Sequence, residues 1–254
     1  MMLSVIIPAY NEGKRIEKTL MSVYGHLSRQ DFDYEVLVVD DGSTDDTVRK
    51  IKSHLPAQAG ISNLKNLKLI ENKENHGKGW VVRQGMKEAT GDIRLFMDAD
   101  NSTSIDQLAG FMPYFSSEGG SAFGGQQGYD IVIGSRRMKD SVIAVHQPWM
   151  RDFLGGIFRF IVHMLVPLGV TDSQAGFKAF SARAVPIIFP KQTIFRWAFD
   201  VELLAIARRA KLKIKEVPIV WINDIESHVK LGGMVRMLFE VLQVRLNLWR
   251  GKYD

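Results

Sequence analysis

The chain has 254 residues, of which 46% are hydrophobic and 24% are charged. This composition excludes a disordered chain, and the length suffices for one sizeable core with at most a small appended subdomain. The net charge of +5 suits an anionic substrate, an anionic membrane surface or nucleic acid, and does not choose among them. The chain contains no cysteine, so disulfides and thiolate metal sites are excluded.

Strand-like and helical segments alternate through the first half of the chain. A short apolar run at 3–8 predicts a first strand, and apolar residues at every third or fourth position of 16–27 predict a helix. Further strands are predicted at 34–40, 67–71 and 93–98. This order predicts an α/β fold with a mostly parallel sheet flanked by helices. Because the first strand begins at once, without a basic region or cleavage site, we expect no signal peptide.

The second half has a different pattern. A glycine-rich loop is predicted at 116–128 and a strand at 130–135. From Trp149 onward the sequence predicts long apolar helices and one late strand at 218–222. The segment 153–170 has almost the length of a membrane span, but it carries a basic residue and a histidine on one helical face. It therefore predicts an amphipathic helix on a surface.

The last segment, 231–254, has an unusual balance of polar and apolar residues. Between 234 and 249 the predicted helix is apolar around most of its circumference. Its polar residues form one narrow stripe, composed of Arg236, Glu240, Gln243, Asn247 and Arg250. A soluble surface helix usually shows the reverse balance. Two alternatives remain open: the helix packs between other elements, or it lies in a membrane interface.

Two carboxylates follow the fourth predicted strand, in the sequence Asp98-Ala99-Asp100. Ligands of open α/β sheets sit at the carboxyl ends of the strands. Mg²⁺ typically binds one or two carboxylates together with substrate phosphates. The simpler alternative is a solvated acidic turn, since Asp-x-Asp alone is a common pattern.

Asp40 and Asp41 follow the second predicted strand and are candidates for accepting hydrogen bonds from a ribose or a base. Ser43 and Asp46 predict a cap for the next helix. The segment Asn75-His76-Gly77-Lys78-Gly79 could present backbone N–H groups to phosphate or uracil oxygens, although the spacing is not that of a P-loop.

These motifs, taken in order, resemble those of family-2 glycosyltransferases, which have the GT-A fold. The resemblance rests on Pro8-Ala9-Tyr10-Asn11-Glu12 and on the segments 40–43, 75–79, 98–100 and 134–136. In the second half, the segments 172–178 and 196–204 look like those of the dolichyl-phosphate β-glucosyltransferases.

The resemblance implies an inverting transfer of glucose from UDP-glucose to a polyprenyl phosphate, with Mg²⁺ or Mn²⁺ as cofactor. The positions that match donor binding are Pro8, Tyr10, Glu12, Asp40, Asp41, Lys78, Asp98, Ala99 and Asp100. Asp98 and Asp100 match the metal site, and Asp100 and Asp200 match catalytic positions. The candidates for binding the acceptor phosphate are Arg136, Arg151, Ser227 and Lys230.

Asp200 matches the position where the family often places a general base. A phosphate acceptor is already largely dianionic at neutral pH, because its second pKa is about 6. We therefore expect Asp200 to position a sugar hydroxyl or a phosphate-binding cation. A helix N-terminal acid without a role in the chemistry remains the alternative.

We expect one GT-A domain over 1–254, with a nucleotide-sugar half at 1–115, an acceptor half at 116–230 and an amphipathic membrane-docking or packing helix at 231–254. The expected location is cytoplasmic, at the cytoplasmic face of a membrane, with no nucleic-acid partner. Alternatives are a GDP-mannose-dependent polyprenyl-phosphate mannosyltransferase and a family-2 transferase with another saccharide acceptor. A nucleotide-sugar pyrophosphorylase should carry a glycine-rich loop after its first strand, which the segment 8–12 does not supply. A non-catalytic binding protein fits the acidic strand ends less well.

Overall fold

A computed structural model describes residues 1–55, 64, 66–115, 128–145, 149–222 and 231–254, without the side chains of 149–154, 231, 232 and 234. Seven strands form one sheet in the order β3-β2-β1-β4-β7-β5-β8. Its strands are β1 (Met2–Ala9), β2 (Asp33–Asp40), β3 (Leu67–Glu71), β4 (Ile93–Met97), β5 (Ile131–Ser135), β7 (Phe177–Ser181) and β8 (Ile214–Pro218).

All neighbouring strands of this sheet are parallel except at β7, which is antiparallel to both β4 and β5. The mostly parallel sheet is therefore as predicted, whereas a purely helical stretch between 149 and 218 is wrong, since β7 and β8 lie there. A second sheet pairs β6 (Val142–Val145) with β9 (Val220–Ile222). The late strand predicted at 218–222 is thus divided between the end of β8 and β9.

Helices cover both faces of the large sheet. They are α1 (Ile16–Leu27), α2 (Thr47–Ser53), α3 (Lys78–Glu88), α4 (Trp149–Leu165), α5 (Val185–Ile188), α6 (Phe199–Arg209) and α7 (Leu231–Trp249), with short 3₁₀ helices at Ile105–Gly110, Met112–Tyr114 and Phe189–Lys191. Alternate side chains of β1 enter opposite cores, since Ile6 packs with α3 and α6 while Val5 and Ile7 pack with α1. This two-faced burial explains why the central strands are almost continuously apolar.

The predicted cap of α2 by Ser43 is wrong. The Ser43 hydroxyl donates to Asp40 Oδ1 at 2.5 Å, inside the turn that follows β2. Asp46 occupies the cap position, but its side chain accepts no backbone N–H of the helix, whereas Asp45 Oδ1 accepts the backbone N–H of Thr47 at 3.0 Å. Asp45, which lies between the two predicted cap residues, therefore accepts the free N–H group at the start of α2.

Helix α7 exposes several large apolar side chains, while part of its polar stripe is turned towards the protein. Asn247 is only 1% exposed and Glu240 is largely buried, whereas Phe239 is 66% and Trp249 81% exposed. Helix α4, which contacts α7, exposes Phe160 in the same way. None of the helices within the described part of the chain is long and apolar enough to cross a membrane.

Candidate active site

A cavity of about 620 Å³ lies where β1, β2 and β4 end. Parallel strands bring their carboxyl ends to one edge of the sheet, so residues far apart in sequence meet there. The predicted site residues that line the cavity are Pro8, Tyr10, Glu12, Asp41, Lys78, Asp98, Ala99, Asp100, Arg136 and Asp200.

Asp98 is held in the cavity by Lys78 and by its own backbone N–H, which donates to the carbonyl oxygen of Gly176 at 3.2 Å. Lys78 Nζ lies 2.5 Å from Asp98 Oδ1. Burial acts against the charge of Lys78, but the carboxylates of Asp98 and Asp200 outweigh it and raise the pKa of Lys78. A side chain at Gly176 would collide with the Asp98 carboxylate, so glycine leaves the room that this acid needs.

Asp100 and Glu12 add acidic groups beside Asp98. Asp100 Oδ1 accepts the N–H of Ser102 at 2.9 Å. Burial, with the neighbouring charge of Asp98, raises the pKa of Asp100. Burial also raises the pKa of Glu12 to about 7, against the attraction of Arg15 and with further repulsion from Asp100 and Asp98. Each of these carboxyls would be easier to ionise beside an added cation.

The two aspartates after β2 have different surroundings. Asp41 lines the cavity and accepts the N–H groups of His76 and Gly77, both at 2.8 Å, so it fixes the loop that leads to Lys78. Asp40 does not line the cavity and is 1% exposed. Its carboxylate accepts the N–H groups of Gly42 and Ser43 and closes the turn, so its contact with the donor stays a prediction.

Asp200 forms a buried ion pair that the sequence did not reveal. Lys178 Nζ lies 2.6 Å from Asp200 Oδ1 and 2.5 Å from the carbonyl oxygen of Ala175, and the lysine is 0% exposed. Burial raises the pKa of Asp200, and the charges of Lys178 and Lys78 counteract that rise. Asp200 therefore contacts Lys178 on the protein side, where burial lowers the pKa of the lysine, and faces the cavity on the other side.

Arg136 is bound by Asp172 through two parallel hydrogen bonds. Its Nε lies 2.7 Å from Asp172 Oδ2 and its Nη2 lies 2.8 Å from Oδ1. Burial acts to raise the pKa of Asp172, but the guanidinium of Arg136 lowers it to about 2. The partner of Arg136 is thus a residue of the segment 172–178. Arg136 also lies over the ring of Trp221, 5.3 Å from its centre.

Three predicted acceptor residues are not placed with the others. The backbone of Arg151 belongs to α4, but its side chain lies outside the described part of the structure. Ser227 and Lys230 also lie outside the described residues.

The cavity includes residues that the sequence alone did not assign to a site. They are Arg15, Arg159, Gln174, Arg196, Trp197, Trp221 and Met237. Three of them, Gln174, Arg196 and Trp197, belong to the segments 172–178 and 196–204. The resemblance of these segments to a family was the one signal in the sequence that could have pointed to them. The others come from the start of α1 and from α4, β9 and α7, and only tertiary packing brings them to the cavity.

The family model described as glycosyl transferase family 2 matches residues 4–185. The chain belongs to this family. Dolichyl-phosphate β-glucosyltransferases are similar over nearly the whole chain. One from Trichomonas vaginalis is 33% identical over 97% of this chain and 75% of its own length, and the one from Homo sapiens is 31% identical over 99% and 77%. The chain is thus a family-2 glycosyltransferase that is similar to dolichyl-phosphate β-glucosyltransferases.

Solved structures confirm the predicted GT-A fold. Glucosyl-3-phosphoglycerate synthase from Mycobacterium tuberculosis, in complex with Mn²⁺, UDP-glucose and phosphoglyceric acid, is 20% identical with a TM-score of 0.65. The match covers 96% of this family-2 chain and 79% of that one. Mannosyl-3-phosphoglycerate synthase from Rubrobacter xylanophilus has a TM-score of 0.61 at 16% identity, over 99% and 75% of the two chains.

Proposed function

We propose that this glycosyltransferase moves glucose from UDP-glucose to the phosphate of a polyprenyl lipid, with inversion at the sugar carbon. The observation that carries the proposal is the near-full-length similarity to dolichyl-phosphate β-glucosyltransferases, together with the predicted acids and cations lining one cavity. The new bond joins the anomeric carbon to a phosphate oxygen of the acceptor. The bond between the anomeric carbon and the UDP oxygen breaks, and UDP leaves with its electron pair.

The residues at the end of β4 fit a divalent cation. Asp98 and Asp100 offer hard oxygen ligands, and no group of three acidic or histidine residues in the described ranges forms an all-protein metal site. Mg²⁺ and Mn²⁺ commonly combine one or two carboxylates with substrate phosphates, so this donor set suits a metal that arrives with the nucleotide sugar. When bound, such a cation neutralises charge on the diphosphate. Lys78 would contribute a second positive charge beside it.

The acceptor requires cations more than it requires a base. A phosphate monoester is largely dianionic at pH 7, since its second pKa is about 6. Arg136 uses Nε and Nη2 for Asp172, so Nη1 is the group that we assign to the acceptor phosphate, with Arg151, Ser227 and Lys230 as further candidates. Asp200 then orients a donor hydroxyl or one of these cations.

A panel of nucleotide sugars tests the proposed reaction. Purified enzyme is mixed with a short-chain polyprenyl phosphate, Mg²⁺ or Mn²⁺, and UDP-glucose or GDP-mannose, and the lipid product is identified by mass spectrometry. We expect a glucosyl lipid from UDP-glucose. A mannosyl lipid from GDP-mannose would establish the alternative donor, and transfer only to a free saccharide would establish the alternative acceptor class.

The lipid acceptor also requires contact with a bilayer, and we propose that α4 and α7 supply it at the cytoplasmic face of a membrane. Both helices contribute residues to the cavity wall, and both expose apolar side chains. Arg236 is exposed on α7, and Arg245 and Arg250 lie among the apolar residues towards its end. A basic-edged apolar face suits the anionic lipid of such a surface.

Flotation with liposomes tests this membrane face. We expect the protein to float with phosphatidylglycerol-containing liposomes at low salt. The double substitution Phe239→Ser and Trp249→Ser should reduce binding by at least about tenfold, because each buried aromatic side chain contributes about 1.5–3 kcal/mol. Met21→Ser on α1 is the matched control, since Met21 is 51% exposed and lies on a different helix. Wild-type protein that stays unbound and still glucosylates long-chain lipid would contradict the proposal.

A further inference from the structure

Helix α6, which carries Asp200 in its first turn, is capped by a residue of another helix. The first N–H groups of a helix have no partners within it, and Ala198 at the cap position has no side chain that could accept them. Glu240 of α7 supplies the acceptor, because its Oε2 accepts the N–H groups of Trp197 and Ala198, each at 2.9 Å. A carboxylate at this end also interacts favourably with the helix dipole.

The capped segment lines the cavity. Arg196, Trp197, Phe199 and Asp200 all contribute to its wall. Arg196 Nη1 also donates to Asn75 Oδ1 at 3.3 Å, which connects the segment to the loop before Lys78. A displacement of the two capped amides would therefore move residues on both sides of Asp200.

A second contact ties α7 to the beginning of the same segment. Asn247 Nδ2 donates to Thr193 Oγ1 at 3.1 Å and to the Tyr253 hydroxyl at 3.0 Å. Thr193 and Tyr253 in turn donate to the buried carboxylate of Glu202 in α6, at 2.6 and 2.7 Å. Because Asn247 and Glu240 are nearly two helical turns apart, α7 holds the segment 193–198 at both of its ends.

The two faces of α7 thus have different structural roles. Its inward polar residues hold the segment before Asp200, and Phe239, the neighbour of Glu240, belongs to the exposed apolar face. We infer that Glu240 is a positioning residue, through which the seating of α7 on a membrane controls the placement of Arg196 and Asp200. This inference rests on the proposed function for its reaction and its membrane face.

Three variants test the role of Glu240 in solution. With a water-soluble short-chain polyprenyl phosphate, Glu240→Ala should lower kcat about tenfold to a hundredfold, since a misplacement of about 1 Å can cost that much. The KM for UDP-glucose should stay within about twofold, because the donor contacts at β1, β2 and β4 are unchanged. Glu240→Gln keeps an oxygen acceptor and should recover most of the rate. Glu88→Ala is the matched control, since Glu88 is an exposed glutamate at the end of α3, outside the cavity lining.

Vesicles of phosphatidylglycerol then test the coupling. They should raise the kcat of wild-type enzyme on the same soluble acceptor, and should not raise that of Glu240→Ala. The inference would be overturned if Glu240→Ala had the same kcat per folded molecule as wild type, or if the vesicles stimulated both proteins equally. Absence of any glucosyl lipid with wild-type enzyme would instead refute the proposed function. In that case hydrogen exchange decides the positioning role, since the Trp197 and Ala198 amides should exchange at least about tenfold faster in Glu240→Ala.

Discussion

Asp100→Asn is expected to reduce glucosyl transfer by at least about a hundredfold, because loss of a metal-site group should cost no less than loss of the groups that support metal ligands. The amide is a weaker ligand for a hard cation and leaves the diphosphate less neutralised as UDP departs. The fold should tolerate the change. Burial and the charge of Asp98 already raise the pKa of Asp100, so a neutral amide removes repulsion at this position.

The measurement is initial rate against Mn²⁺ concentration at saturating UDP-glucose. The variant should need more metal for half-maximal rate, and its thermal unfolding midpoint should equal or exceed that of wild type. Asp106→Asn, in an exposed position of the 3₁₀ helix Ile105–Gly110, is the control and should leave both quantities unchanged. Full activity of the wild-type enzyme in excess chelator would remove the metal from the proposed reaction.

The sequence predicted the parts of this site that depend on local pattern. Each of the first four strands is a short apolar run, and acids at the ends of two of them, Asp41 and Asp98, meet at the cavity because parallel strands end together. Gly176 was also part of a recognisable segment. The reason for a glycine there is the room that it leaves for Asp98, and this reason depends on packing across the sheet.

What the sequence could not predict depends on contacts between distant residues. Lys178 looks like an ordinary strand lysine, and only the burial of β7 against α6 pairs it with Asp200. The polar stripe of α7 was visible, but its direction was not. A helical pattern defines which residues share a face and leaves open which face meets the protein. Tertiary contacts turn Glu240 and Asn247 towards the protein, whereas the other three residues of the stripe are exposed.

Asp200→Asn is expected to affect folding and catalysis together, because it leaves the buried ammonium of Lys178 without its counter-charge. Removing one partner of a buried ion pair destabilises a protein by about 3–5 kcal/mol. We therefore expect a clear fall in the free energy of unfolding, measured by denaturant titration. A low rate in this variant alone would not separate catalysis from stability.

The double variant Asp200→Asn with Lys178→Met separates the two effects. Methionine replaces the ammonium with an apolar group of similar length, so stability should return towards wild type. If Asp200 orients a hydroxyl or a cation, the rate of the double variant should remain about tenfold to a hundredfold below wild type. This factor corresponds to the loss of a hydrogen bond to a charged group, which contributes about 1.5–3 kcal/mol. The single Lys178→Met variant completes the thermodynamic cycle.

The pH dependence of the double variant decides the role of Asp200 in the reaction. With a lipid phosphate as acceptor, activity should fall as the pH drops through about 6, because protonation of the phosphate monoester removes the dianionic nucleophile. This acidic limb belongs to the substrate, so it should persist without the Asp200 carboxylate. A general base would give the opposite pattern, in which the limb disappears and the rate falls by about 10²–10⁴-fold. Persistence of the limb would therefore assign Asp200 to positioning, and its loss would assign the carboxylate to proton transfer.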